Sequence, residues 1–130
     1  MKKKLFLIFL ILCNLPLFSE IRYKDKKEID EYNETQKYFR MPVYRLLWCE
    51  CDTEEELNQI LNLKDIEQYK CKDNIITDDT KSTRTYYYII AEYNTYTEFI
   101  EIYISYYEKD KTSVYLYTYM IPPEWMRSKQ

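Results

Sequence analysis

The stretch that decides the fold is residues 96–121, YTEFIEIYISYYEKDKTSVYLYTYMI. Large apolar side chains alternate on either side of the polar segment 108–111, which is the pattern of two strands joined by a hairpin. Residues 83–93 are equally rich in β-branched and aromatic side chains, and only Asn94-Thr95 separates them from the second run. These three runs predict a three-stranded antiparallel meander over residues 83–93, 96–107 and 112–121.

Alternation within the meander predicts two different faces. One face is aliphatic and is expected to meet a helix. We assign to it Ile100, Ile102, Ile104 and Tyr106 of the second run, and Val114, Leu116 and Met120 of the third. The other face is rich in tyrosine, and its predicted binding residues are Tyr87, Tyr103, Tyr115, Tyr117 and Tyr119. Tyrosine suits recognition because it buries a large apolar area and keeps a polar tip; the alternative is that these rings only stabilise the sheet through cross-strand pairs.

A strand and a helix are predicted ahead of the meander. Residues 43–51 are short and largely apolar, which is typical of a strand. Thr53 and Glu56 then form a capping-box pattern, in which Thr53 accepts from the amide of Glu56 and Glu56 reaches back to the amide of Thr53. Leu57 and Ile60 follow at helical spacing and predict the buried side of this helix. The expected fold class is α+β with β-α-β-β-β order, one helix packed on a mostly antiparallel sheet.

The chain is long enough for one domain with one core. The predicted organisation is an export signal at residues 1–19, a charged arm or loosely docked helix at 20–42, a single α+β domain at 43–121 and a C-terminal tail at 122–130. Within the domain, residues 69–84 are expected to be a polar connection in which Ile75-Ile76 forms a short docking piece.

The amino terminus has the organisation of a secretory signal. Three lysines precede an apolar run of about eight residues, whereas a transmembrane helix needs about twenty. Cleavage after Ser19 is one prediction, lipidation of Cys13 at a lipobox-like sequence is a second, and an uncleaved anchor is a third. The expected location is periplasmic, cell-surface or secreted, with membrane attachment through a lipid anchor if Cys13 is modified.

Two absences restrict the chemistry. The chain contains no glycine and no histidine. Phosphate-binding loops and the nucleophile elbow need glycine, and Ser-His-Asp or Cys-His catalysis needs histidine. The net charge of −3 becomes more negative once the lysines of the signal are removed, so nucleic acid is not an expected partner. We therefore predict no cofactor, no catalytic residues and no metal; the acidic run at residues 50–56 is interpreted as strand exit and helix capping.

Three cysteines follow the predicted signal. An exported chain meets oxidants, so a disulfide is expected among Cys49, Cys51 and Cys71. Cys71 is predicted to pair with either Cys49 or Cys51, which leaves one thiol over.

The functional prediction is a small exported non-enzymatic protein that binds an unknown protein or envelope component through the tyrosine-rich face. An envelope structural or assembly protein is the alternative. A thiol- or carboxylate-based enzyme is the second alternative.

Overall fold

The computed structural model describes residues 21–128 and shows an α+β fold with four α-helices and one six-stranded sheet. The strands are β1 (Arg22–Tyr23), β2 (Val43–Cys51), β3 (Lys70–Thr77), β4 (Tyr86–Asn94), β5 (Ile100–Tyr107) and β6 (Ser113–Ile121). The helices are α1 (Lys26–Gln36), α2 (Glu54–Ile60), α3 (Leu63–Ile66) and α4 (Pro123–Ser128), with a 3₁₀ turn at Glu67–Tyr69. No helix in this part of the chain is long and apolar enough to cross a membrane. The predicted export signal and Cys13 lie outside the described residues.

The strands lie in the order β1-β2-β4-β5-β6-β3, and every neighbouring pair is antiparallel. β4, β5 and β6 are consecutive both in the chain and in the sheet, so they form the three-stranded meander that alternation predicts. β1 and β3 are the two edges. β1 has only two residues, whereas β3 has eight.

The element order differs from the predicted β-α-β-β-β. β3 occupies Lys70–Thr77, where the sequence predicts a polar connection. An edge strand is held by main-chain hydrogen bonds to one neighbour, so the polar side chains of Lys72, Asp73 and Asn74 do not prevent it from pairing with β6. Ile75 and Ile76 are exposed rather than docked.

Helices cover both faces of the sheet, so the prediction of a single packed helix is wrong. α1 packs on β2 from the side opposite to α2, and it buries no residue completely. Its anchor is Asn33, whose side-chain oxygen accepts from the Arg45 amide at 2.7 Å and whose nitrogen donates to the Arg45 carbonyl at 3.1 Å. These bonds replace the apolar stripe that would have identified the helix as docked.

The core lies between the other face of the sheet and helices α2, α3 and α4. Its buried members from the sheet include Ile89, Ile102 and Ile104, and those from the helices include Leu57 and Ile60. Burying an aliphatic side chain of this kind stabilises the fold by about 1.5–3 kcal/mol. The segment predicted as a C-terminal tail contributes α4 to this layer.

The predicted cap of α2 is present. The Thr53 hydroxyl accepts from the Glu56 amide at 3.1 Å, which satisfies one of the free donors at the helix start. The reciprocal contact of Glu56 is with the Thr53 hydroxyl, at 3.0 Å. The sequence thus locates the start of this helix correctly.

The register between β5 and β6 decides which side chains face the helices. Ile102 pairs with Tyr119 and Ile104 with Tyr117, and directly opposed residues share a face. The connection between the paired residues Tyr107 and Val114 holds an even number of residues. Even positions of β5 are therefore opposite odd positions of β6.

The assignment of Val114, Leu116 and Met120 to the helix-covered face is consequently wrong. All three lie on the opposite face, and the tyrosines of β6 join the isoleucines of β5 instead. Burial agrees with this register, because Tyr119 is only 3% exposed and Met120 is 37% exposed.

The helical segment crosses its face of the sheet diagonally. β2 ends at Cys51, opposite Tyr87, and β3 begins at Lys70, opposite Tyr119. These two points lie at opposite ends of the sheet and are separated by three strands. The corner where the end of β3 meets the start of β6 lies off the line between these two points, and Ile75 at that corner is 65% exposed. We call this the open corner.

Candidate binding surface

Two tyrosines, Tyr106 and Tyr115, lie toward the open corner, and their neighbours on the same face, Tyr87 and Tyr117, pack against the core. We call Tyr87, Tyr106, Tyr115 and Tyr117 the tyrosine strip. The rings of Tyr87 and Tyr106 are 4.8 Å apart between centroids, and those of Tyr106 and Tyr115 are 6.1 Å apart. Both distances suit attractive aromatic contacts. Because the three residues are directly opposed on β4, β5 and β6, their rings form a row across three strands.

The strip leads to the edge of the sheet. Ile75 of β3 is opposite Tyr115 and is 65% exposed. Beside it, the Lys70 ammonium lies over the Tyr117 ring at 4.9 Å and pairs with Asp73 at 3.2 Å. The row of half-buried rings thus ends on an exposed aliphatic side chain with an ion pair at its rim.

The phenols at the inner end of the strip are poor acids. Burial raises the pKa of Tyr87 to about 12, with a further contribution from the nearby charge of Glu54. Burial also raises the pKa of Tyr106, and the charge of Glu108 adds to the effect. Both hydroxyls therefore stay protonated near neutral pH and can donate hydrogen bonds.

The structure brings together three of the five predicted binding residues. Tyr87, Tyr115 and Tyr117 share the tyrosine strip, whereas Tyr119 is buried in the core. Tyr103 lies on the opposite face, where its hydroxyl donates to Glu101 at 2.7 Å. The prediction that all five share one surface is wrong, because the β5–β6 register separates Tyr103 from the tyrosines of β6.

Sequence reasoning missed Tyr106. It follows three isoleucines on one side of β5, so alternation assigned it to the aliphatic face. The even length of the β5–β6 connection is the signal that could have found it, because an even connection places the tyrosines of β6 beside Tyr106.

The opposite face carries a second set of aromatic contacts. Tyr86 and Tyr107 stack at 4.7 Å with an angle of 8° between their rings. The Arg84 guanidinium lies 5.0 Å from the Tyr86 ring centroid and donates to Glu50 at 3.1 Å. These two rings contact each other and Arg84 of the loop that leads into β4.

Below α1, the same face holds a cation between two rings. The Arg45 guanidinium lies 3.9 Å from the Tyr32 centroid and 4.1 Å from the Trp48 centroid. It also pairs with Glu92 at 3.4 Å, and Glu92 accepts from the Tyr32 hydroxyl at 3.2 Å. This cluster fixes α1 to the sheet, and packing of the helix explains its contacts.

The three described thiols are free, so the predicted bridge of Cys71 to Cys49 or Cys51 is wrong. β2 and β3 are four strand spacings apart, about 19 Å, whereas a disulfide needs Cα atoms about 4.4–6.8 Å apart. Cys49 and Cys51 are buried, and burial raises the pKa of both thiols, that of Cys51 to about 12. Neither is a thiolate at neutral pH, so neither has the form that acts as a nucleophile.

No protein-family model, curated protein or solved structure matches this chain. Within residues 21–128, no three His, Cys, Asp or Glu side chains converge in a way that could hold a metal ion.

Proposed function

We propose that the protein is a small exported binding protein that holds a protein partner on the tyrosine strip. The observation that carries this proposal is the row of three rings across β4, β5 and β6, in which Tyr106 and Tyr115 lie outside the core cluster and which ends at exposed Ile75. Aromatic side chains of this kind are enriched where proteins bind one another, because they bury much apolar area at little cost in conformational entropy.

The strip also stabilises the sheet, since cross-strand aromatic pairs contribute roughly 0.2–1 kcal/mol each. Aromatic rings that are covered by a helix would stabilise the sheet equally well. The diagonal path of the helical segment is what keeps Tyr106 and Tyr115 outside the core, and it leaves their outer surfaces available to a partner.

The expected partner is an envelope or secreted protein with an apolar or aromatic contact patch. The acidic charge of the chain disfavours nucleic acid. The thiols of Cys49 and Cys51 are buried, which disfavours thiol chemistry at these two residues. Export itself follows from the signal-like residues 1–19 and is part of the proposal.

A capture experiment with matched variants tests the binding surface. The tagged protein is incubated with an envelope extract from its own source, and bound proteins are quantified by mass spectrometry. The test variant combines Tyr106→Thr with Tyr115→Thr, since threonine keeps a high preference for strands. Tyr96→Thr is the control, because Tyr96 is an exposed tyrosine of the β4–β5 turn.

The proposal predicts that a partner captured by the wild type and by the Tyr96→Thr control is lost from the double variant. Thermal unfolding must show that the double variant is folded at the assay temperature. A partner retained at the wild-type level by the folded double variant would contradict the role of the strip. Intact-mass measurement of the protein from soluble and membrane fractions tests export separately, because cleavage after Ser19 and lipidation of Cys13 give different masses.

A further inference from the structure

β3 is a long strand at an edge of the sheet. It has eight residues, and within residues 21–128 only β6 pairs with it. An edge of this length presents unpaired main-chain donors and acceptors, and proteins usually protect such edges with charges, prolines or bulges.

Protection is present in only half of β3. The first half contains Lys70, Lys72 and Asp73 and has an irregular register between Lys70 and Lys72. The second half, Asn74-Ile75-Ile76-Thr77, has no charge, no proline and no irregularity. Ile75 is 65% exposed on the helix-covered face, and Ile76 is 47% exposed on the opposite face. This half of the edge is open on both faces.

We infer that a second copy of the chain pairs with β3 in antiparallel orientation, about a two-fold axis that passes through Ile75. A two-fold axis perpendicular to the sheet reverses the strand direction and keeps each face on its own side. Residues that oppose each other must therefore come from the same face. In this register Ile75 is opposite Ile75 of the partner subunit, and Lys72 is opposite Asp78 of the partner subunit.

Charge complementarity selects this register from its neighbours. Lys72 is exposed and makes no ion pair within residues 21–128, whereas Lys70 is already paired with Asp73. An axis through Asp73 would place two like charges in direct contact, which is destabilising. An axis through Asn74 would place Lys72 opposite Ile76 of the partner subunit. An axis through Ile76 would bring the two Ile76 side chains together but would place Lys72 opposite Thr80 of the partner subunit. Of these four axes, only the one through Ile75 both pairs two apolar side chains and creates two symmetric pairs of opposite charge.

The pairing would double the tyrosine strip. Ile75 is opposite Tyr115 in the described sheet, so the row that begins at Tyr87 continues across the two-fold axis into the same row of the second copy. The two strips then form one aromatic surface on a sheet of twelve strands. The dimer itself rests on the main-chain edge and does not require that the strip bind a partner.

Sedimentation equilibrium of the purified protein without residues 1–19 tests the inference, with concentrations up to about 1 mM. The wild type is expected to show a reversible equilibrium between monomer and dimer. Ile75→Lys places two ammonium groups at the axis and is expected to weaken the dimer at least tenfold. Tyr38→Lys is the control, because Tyr38 is 81% exposed, is remote from β3 and receives the same substitution.

Charge exchange tests the register. Lys72→Asp places an acid opposite Asp78 of the partner subunit and is expected to weaken the dimer about threefold to tenfold. Adding Asp78→Lys to the same chain restores opposite charges at both contacts and is expected to restore the affinity. Cross-linking gives a second measurement, because Ile75→Cys in a Cys71→Ser chain is expected to form an intermolecular disulfide, whereas Ile76→Cys in that background is not.

Three results would overturn the inference. The first is a wild type that stays monomeric throughout the concentration range. The second is a dimer that Ile75→Lys leaves unchanged. The third is a dimer that a reducing agent dissociates, because the register places Cys71 far from Cys71 of the partner subunit, and such a dimer would be a disulfide product.

Discussion

Tyr119 and Met120 are neighbours in β6, and the structure predicts opposite consequences for their truncation. Tyr119 points into the core opposite Ile102, and its side chain is 3% exposed. Met120 points to the other face opposite Glu101 and is 37% exposed. Truncation of a buried aromatic side chain to alanine costs about 3–5 kcal/mol, from lost transfer free energy and the cavity that remains. We expect Tyr119→Ala to cost this amount and Met120→Ala about 1 kcal/mol or less.

Urea unfolding followed by circular dichroism and tryptophan fluorescence measures the difference. With a slope of about 2 kcal/mol per molar urea, the middle of the usual range, Tyr119→Ala is expected to lower the midpoint by roughly 1.5–2.5 M. A chain of this size has little stability to spare, so Tyr119→Leu, which removes less volume, keeps the comparison measurable if the alanine variant is unfolded. Equal costs, or a larger cost for Met120→Ala, would refute the register between β5 and β6.

Other properties of the structure give further predictions. Arg45→Ala removes the cation between the Tyr32 and Trp48 rings and leaves Glu92 without its cationic partner, so the free energy of unfolding should fall by about 2–3 kcal/mol in thermal or urea melts. The control Lys26→Ala, in an exposed pair with Asp30, should change it by less than about 0.5 kcal/mol. A chromogenic disulfide reagent at neutral pH should label Cys71 in the native protein, and Cys49 and Cys51 only after denaturation; rapid labelling of all three would show that the core is open. Burial raises the pKa of the Cys51 thiol from 9.0 to about 12, so the folded state favours the protonated thiol. The stability that this preference contributes is fully present below about pH 9 and is lost as the pH rises toward 12. The urea midpoint should therefore fall more steeply above pH 9 in the wild type than in Cys51→Ala, and identical slopes would contradict the buried position of this thiol.

Much of the fold could be predicted where the hydrophobic pattern repeats over many residues. The meander and β2 follow from alternation, and the start of α2 follows from the Thr53 cap. β3 could not be predicted in the same way, since an edge strand takes its stability from main-chain pairing and tolerates polar side chains on both faces. α1 was equally hard to place, because its contacts with β2 are hydrogen bonds to the main chain.

The candidate site depended on a quantity that alternation within a strand does not supply. Alternation divides each strand into two faces, but the register between strands decides which faces coincide. The prediction placed even positions of β5 beside even positions of β6, and this one error put Tyr103 with the tyrosines of β6 and left Tyr106 out. The disulfide prediction failed for a related reason, because proximity of Cys71 to Cys49 in the chain does not reveal that three strands lie between them in the sheet.

The central claim is that the tyrosine strip is the surface by which this protein holds its partner. Hydroxyl-radical footprinting of the protein, alone and in complex with the partner captured from the envelope extract, tests that claim at the level of single residues. We expect Tyr106 and Tyr115 to be protected in the complex and Tyr96 to be oxidised equally in both samples. Unchanged oxidation of Tyr106 and Tyr115, with protection elsewhere on the protein, would contradict the account.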